Sequence, residues 1–303
     1  MNKEKVEQLL AFLKKSIALL EKELLSEGSN TDQGNTAFRV QQADNQDQKS
    51  EVNAIWERQD WPSIVPQKVV QPPDKNSKLM RADAILDSML DRSVKGLNIL
   101  DFGCGEGYVA QRANERGAAK TMGYDIIDTH EFEESDRLQF TSDSDALKQT
   151  RWDVIIVFDV LDHTENVIDV MNLLRSVCSE STIVVVRNHP WTSPHAAHLL
   201  NKGCNKSHVH LVFSFAELEE KELFVEFVRQ EKDPLTSYEH WIRTSGFNVV
   251  REKTIEKPVN KFFHEPEIKQ RIQSVNQLKA SELDQFYHAM RLCFVDYVLS
   301  PKS

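Results

Sequence analysis

The stretch from Asn98 to Ala110, NILDFGCGEGYVA, constrains the fold more than any other part of the chain. An apolar run ends on an acid, Asp101. Gly103, Gly105 and Gly107 follow at alternate positions, and a helical pattern begins at about Tyr108. Glycines spaced this way let the backbone turn sharply and let a ligand approach where a Cβ would collide. A helix that starts at such a turn offers free N–H groups. The unit of strand, glycine turn and helix belongs to α/β architecture. The dinucleotide fingerprint uses the same logic with the spacing G-x-G-x-x-G. Here the spacing is G-x-G-x-G, and a carboxylate stands two residues before the first glycine. That charge suits a cationic ligand group better than a pyrophosphate.

The rest of the chain agrees with this architecture. Seven apolar runs alternate with helical patterns: LNILDFG, KTMGYDI, RLQFT, WDVIIVFDV, STIVVVRN, FNVVREKTI and LCFVDYVLS. The fourth and fifth are almost uniformly apolar, which fits strands covered on both faces. A helix is expected at about 78–90, with Leu79, Ala82, Ile85, Leu86 and Met89 on one face. The fold expected over residues 54–303 is therefore a doubly wound, Rossmann-like α/β domain, with a seven-stranded, mostly parallel sheet and helices on both faces. WERQDWPSIVPQKVVQPP, at its start, reads as an extended cover. Residues 1–27 read as an additional N-terminal helix. Val6, Leu10, Leu13, Ile17, Leu20 and Leu24 form a coiled-coil seam that either docks on its own domain or self-associates. Residues 28–53 are rich in Gln, Asn, Asp and Ser and read as a disordered linker.

Composition excludes several classes. The net charge is −10 over 303 residues, and the segment from Asp101 to Leu199 holds eight Lys and Arg against seventeen Asp and Glu. A nucleic-acid face needs clustered basic residues, so nucleic acid is not the expected partner. No apolar run reaches the roughly 18–20 residues that span a bilayer, and no signal-peptide pattern opens the sequence. Cys104, Cys178, Cys204 and Cys293 are scattered without a C-x-x-C pair, which fits a reducing cytoplasm.

LDFGCGEGY resembles the first motif of class I S-adenosylmethionine-dependent methyltransferases. The resemblance extends over about residues 78–300 and implies S-adenosylmethionine as cofactor. Asp101 would then hold the methionine ammonium, directly or through water, while Gly103, Cys104 and Gly105 pass under the cofactor. GYDI places Asp125 at the ribose hydroxyls, with Ile126 beside it. TSDSDAL places Asp143 beside adenine, with Ser142 or Asp145 in reserve. WDVIIVFDVLDH resembles the fourth-strand motif, so Asp159 and Val160 would flank the cofactor. The family transfers a methyl group to an acceptor, here unidentified, with O or N of a small molecule or glycan favoured. The alternative is a catalytically degenerate binding or structural protein of the same fold, assembled through its N-terminal helix. The long HPW…H…H insert resembles methyltransferase-like proteins of tailed phages in this respect.

Five of the ten histidines lie between Val186 and Phe213. Ligands of doubly wound sheets sit beyond the carboxyl ends of the strands. His189, after the fifth run, and His163, after the fourth, are thus expected at the mouth of the cofactor cleft. Together with His195 they are candidates for acid–base work or substrate hydrogen bonding near neutral pH. Arg187 and Trp191 either orient the methyl acceptor or serve structure. In SPHAAHLLNKG, Ser193 reads as a helix N-cap, Pro194 as the first helical residue and Gly203 as the stop, so that His195 and His198 share a face. In SHVHLVF, an extended reading puts His208 and His210 on one face. These two pairs are the candidate metal ligands, although no Asp or Glu within 188–214 completes a mixed-ligand site, and the main reading has no metal. Ser214 to Glu217 reads as a capping box opening a further helix.

Overall fold

In the computed structural model of the chain, the described residues are 49–65, 74–164, 166–225 and 234–302. The N-terminal helix and its seam lie outside them, as does the expected linker up to residue 48. Residues 49–53 belong instead to a helix over 49–56. The chain divides into two units between Gln59 and Asp60, and the fold below is that of the second.

Seven strands form one sheet: β1 (Asn98–Phe102), β2 (Lys120–Tyr124), β3 (Leu138–Thr141), β4 (Val154–Phe158), β5 (Ile183–Asn188), β6 (Phe247–Glu256) and β7 (Leu292–Pro301). Each grows from one of the apolar runs read in the sequence. Their order is β3-β2-β1-β4-β5-β7-β6. The first five are parallel, and β7 runs antiparallel to both β5 and β6. The helices are α1 (Lys75–Met89), α2 (Tyr108–Glu115), α3 (Val167–Val177), α4 (Val209–Val212), α5 (Phe215–Glu219), α6 (Pro234–Thr244), α7 (Pro266–Val275) and α8 (Leu283–Ala289).

The two uniformly apolar runs are explained by packing on both sides. In β4, Val154 and Ile156 face α1 and α2 in a cluster with Ile85, Leu86, Met89 and Ala113. Ile155 and Val157 face the opposite side, packing with Met171 and Leu174 of α3 and Trp241 of α6. Successive side chains of a strand point to opposite faces, so a central strand with two covered faces has no polar position. Burying each such side chain contributes about 1.5–3 kcal/mol.

The order places β1 beside β4, the point where the winding reverses and where ligands of open α/β sheets bind. The glycine turn ends β1 there. Beyond the sheet, two inserts rise from the same edge, one between β5 and α6 and one between β6 and β7. They are locked together. Asn276 Nδ2 donates to the Leu211 carbonyl at 2.9 Å, and Arg271 pairs with Glu217 at 2.6 Å. Trp61, from the expected cover segment, packs on Phe213, Phe262 and Phe263 and donates its indole N–H to the Ser207 carbonyl at 3.0 Å.

The inserts correct two expectations. Residues 193–203 are not an α-helix: turns lead into a 3₁₀ segment over Leu199–Lys202 that ends at Gly203, and His198 sits at φ 54°. Ser193 Oγ accepts from the His195 N–H at 3.3 Å, which closes a local turn in place of a helix cap. SHVHLVF is not extended, because Val209–Val212 form α4 with His208, at φ 54°, as its cap residue. The Ser214–Glu217 capping box is present at the start of α5. The His198–Asp162 pair in the first segment, and the ties of His208 to Met290 and of Leu211 to Asn276 in the second, outweigh the local pattern.

Candidate active site

The glycine turn is fastened on three sides. The Tyr124 carbonyl at the end of β2 accepts from the N–H groups of Gly103 and Cys104, at 2.7 and 3.0 Å. Asp125 Oδ2 accepts from Gly105 N–H at 2.9 Å. Gly103, at φ 74°, lies against Val160, and a Cβ there would come within 2.4 Å of Val160 Cγ2. Val160 thus reaches the turn, bringing the ends of β1, β2 and β4 together. Gly103→Ala is expected to destabilise the protein by about 1–3 kcal/mol in denaturant titration, through overpacking and an unfavourable φ. Unaltered stability would show that Val160 yields freely. Gly105, at φ 51°, has open space where its Cβ would be.

Asp101 is buried beneath this turn. Its Oδ2 accepts from Ala110 N–H at 3.0 Å, and so caps α2, whose own cap position is the side-chain-less Gly107. Burial, with the Asp125 charge adding to it, pushes the Asp101 carboxyl up to about 7. Such a group is poised to ionise when a cation arrives. Asp125 is also used by the backbone, since Oδ1 accepts from Ile127 N–H at 3.2 Å. Ile126 and Ile127 beside it are 79% and 63% exposed, an apolar surface that a planar ring would cover. Asp143 is exposed and caps its own loop, accepting from Asp145 N–H at 2.9 Å. Asp145 itself pairs with Lys148. Cys104 packs against Gly123, and burial raises its thiol well above the ordinary range, which excludes a thiolate role.

The other half of the site follows β4 and β5. His189 is buried, with Nε2 3.2 Å from Asp159 Oδ1 and Nδ1 3.0 Å from the Cys293 carbonyl. Asp159 takes φ 60° to turn its carboxylate this way. Burial disfavours its charge, but His189, His198 and His163 outweigh that and hold its carboxyl below the usual range. His198 Nε2 lies 2.9 Å from Asp162 Oδ2, and His163 packs edge-on against His198 with ring centroids 4.4 Å apart. His163 is 35% exposed, and the cluster opens to solvent beside it. His195 packs beside His189 and Phe294, and its burial lowers it to about 3, so it stays neutral.

The proposed quartet of metal ligands does not assemble. His208 is buried, its Nε2 on the Met290 carbonyl at 3.1 Å, its Nδ1 on Ser207 Oγ at 2.8 Å, and burial lowers it to about 4. His210 Nε2 donates to the Trp191 carbonyl at 2.8 Å. His208 ties the first insert to the segment before β7, and His210 ties the first insert to itself. Of the four, only His198 joins groups whose ligand atoms lie within 4.8 Å of one another: Asp159, His189 and His198, and, overlapping it, Asp162, His163 and His198. The missing acids come from the end of β4, not from the histidine-rich segment itself. Asp162 was not anticipated; its signal was the second acid of FDVLDH, one sheet position from β5.

Arg187 and Trp191 take the structural alternative. Arg187 makes a two-pronged pair with Asp296 of β7, at 2.6 Å for each contact, and bonds Ser88. Trp191 is buried against His210 and Phe215.

The sequence matches, over residues 76–252, the family model described as a methyltransferase domain. No curated protein sequence is similar to this one. The fold is similar to three solved structures, among others. An S-adenosylmethionine-dependent methyltransferase from Mesorhizobium loti is 19% identical, with 72% of this chain and 97% of that one covered and a TM-score of 0.44. One from Archaeoglobus fulgidus is 16% identical, with 74% and 94% covered and a TM-score of 0.45. The magnesium protoporphyrin IX methyltransferase from Synechocystis PCC 6803, solved with bound SAH, is 14% identical, with 77% and 90% covered and a TM-score of 0.43. Among the described residues, no helix is long and apolar enough to cross a membrane.

Proposed function

Because this chain belongs to the methyltransferase-domain family, we propose that it moves a methyl group from S-adenosylmethionine to an O or N atom of a small molecule or glycan. The observation that carries the reading is the division of the strand ends. One half, below the glycine turn, offers a buried carboxyl that awaits a cation. The other, after β4 and β5, offers imidazoles and carboxylates suited to a polar methyl acceptor.

The residues present fit the cofactor. Asp101 meets the methionine ammonium, Gly105 leaves room for close approach, Asp125 retains lone pairs for the ribose hydroxyls, and Ile126 supplies a wall for adenine. Val160 supports the turn from below, and Asp143 closes the neighbouring loop. When bound, S-adenosylmethionine supplies an electrophilic sulfonium methyl and leaves as the thioether.

The protein's own work is alignment and exclusion of water. His189 and His163 hold the O–H or N–H of the methyl acceptor, and His195 contributes a neutral imidazole beside them. His163 gives the departing proton a route to solvent. Titration calorimetry with S-adenosylmethionine, then transfer of labelled methyl to acceptor panels, tests this reading. Saturable binding with label on an O or N atom is expected. Absence of binding by folded protein overturns it.

A further inference from the structure

Five side chains from two strand ends, Asp159, Asp162, His163, His189 and His198, meet in one cluster. His189 Nδ1 faces the Cys293 carbonyl, which can only accept, so Nδ1 carries the hydrogen. Its Nε2 then faces Asp159 Oδ1 at 3.2 Å. A metal ion, or a second hydrogen on the imidazole, must lie between these two atoms.

The carboxylates make the same demand. Asp162 Oδ1 is buried and has no hydrogen-bond partner, Asp159 Oδ1 has only the His189 contact, and the Asp162 side chain is fully buried. Burial of a carboxylate oxygen without a donor is unfavourable. Asp159 and His198 also hold left-handed backbone, at φ 60° and 54°, which side chains of this kind adopt at a cost. Both deviations turn ligand-bearing side chains into the cluster.

We propose that Asp159, His189 and His198 bind a divalent first-row transition-metal ion, zinc being the best match. Their ligand atoms lie within 4.8 Å of one another. Tetrahedral ligands with bonds of about 2.0–2.1 Å stand about 3.4 Å apart, close to the observed His189–Asp159 separation. Two imidazoles and one carboxylate suit zinc or iron(II), whereas calcium and magnesium favour oxygen ligands. The hydrogen bond from His189 Nδ1 to a backbone carbonyl is the support that metal-bound imidazoles usually have. Asp162, against His198, brings a second carboxylate charge to balance the ion. Three protein ligands leave a coordination position open for a substrate heteroatom.

The catalytic consequence, in which His189 meets the methyl acceptor through the ion it holds and the ion polarises that acceptor, rests on the methyl-transfer reading; metal binding does not. The test uses the full chain, stripped with chelator and titrated with Zn(II) and with Co(II), whose visible spectrum reports nitrogen and oxygen ligation. One ion per chain is expected, with Mg(II) failing to compete. His198→Ala and Asp159→Asn should each weaken Zn(II) at least tenfold, and His208→Ala should not. Asp159→Asn keeps the shape of the side chain, so it decides the matter if His198→Ala fails to fold. A wild-type chain that takes up neither ion, or affinity unchanged in Asp159→Asn, overturns the site. Stoichiometric metal without S-adenosylmethionine binding would instead leave the site standing and remove the methyl-transfer reading.

Discussion

His189→Ala should lower the turnover of methyl transfer by about 10²–10⁴ while leaving the affinity for S-adenosylmethionine unchanged. The expectation is positional. His189 stands at the end of β5 and touches Asp159, Cys293 and Ser193, whereas the glycine turn is held by β2, Asp125 and Val160. Removing the imidazole deletes a group that meets the methyl acceptor and leaves those that meet the cofactor. It also removes the imidazole 3.2 Å from Asp159, so stability is measured beside turnover. Calorimetric melting and S-adenosylmethionine titration on the same preparation separate the two. A large loss of cofactor affinity in a folded variant would show that β5 belongs to the cofactor half, and the division of the site would be wrong.

That division was only partly legible in the sequence. The strands were, because burial on both faces leaves β4 and the first four positions of β5 without a polar residue, in runs short enough for strands and rich in Val and Ile. The glycine turn was, because its spacing and its acid are local chemistry. The histidines were not. SPHAAHLLNKG carries a good helix start, yet the chain follows turns and a 3₁₀ segment there because His198 must reach Asp162. SHVHLVF alternates like a strand, but it forms α4 because His208 and Leu211 are tied to the segment before β7 and to α7. A search for acids within the histidine-rich segment could not find Asp159 or Asp162, which approach through the neighbouring strand of the sheet. Local pattern predicts an element only where tertiary contacts do not compete for the same side chains.

Asp101→Asn should weaken S-adenosylmethionine by about 10–100-fold and, in the same molecule, stabilise the cofactor-free protein at pH 8. The first effect follows from losing a charge-assisted contact of about 1.5–3 kcal/mol. The second follows from burial. The Asp101 carboxyl is raised from its ordinary 3.8 to about 7, so the folded state holds a proton that the unfolded chain has already released. Stability therefore declines as pH rises from about 4 through 7, because ionising the buried group opposes folding. Asn carries no charge, and its oxygen can still accept from Ala110 N–H, so the cap on α2 survives and that decline disappears. The gain at pH 8 should be about 1–4 kcal/mol in denaturant titration. The wild type has a matching signature in binding. Its affinity should fall as pH drops below about 7, where the carboxyl must lose its proton before it can hold the ammonium, and binding should release that proton to buffer. Calorimetry in buffers of different ionisation enthalpy measures the release directly. A variant that binds S-adenosylmethionine as tightly as wild type at pH 8 would detach Asp101 from the ammonium and leave it only as the cap of α2.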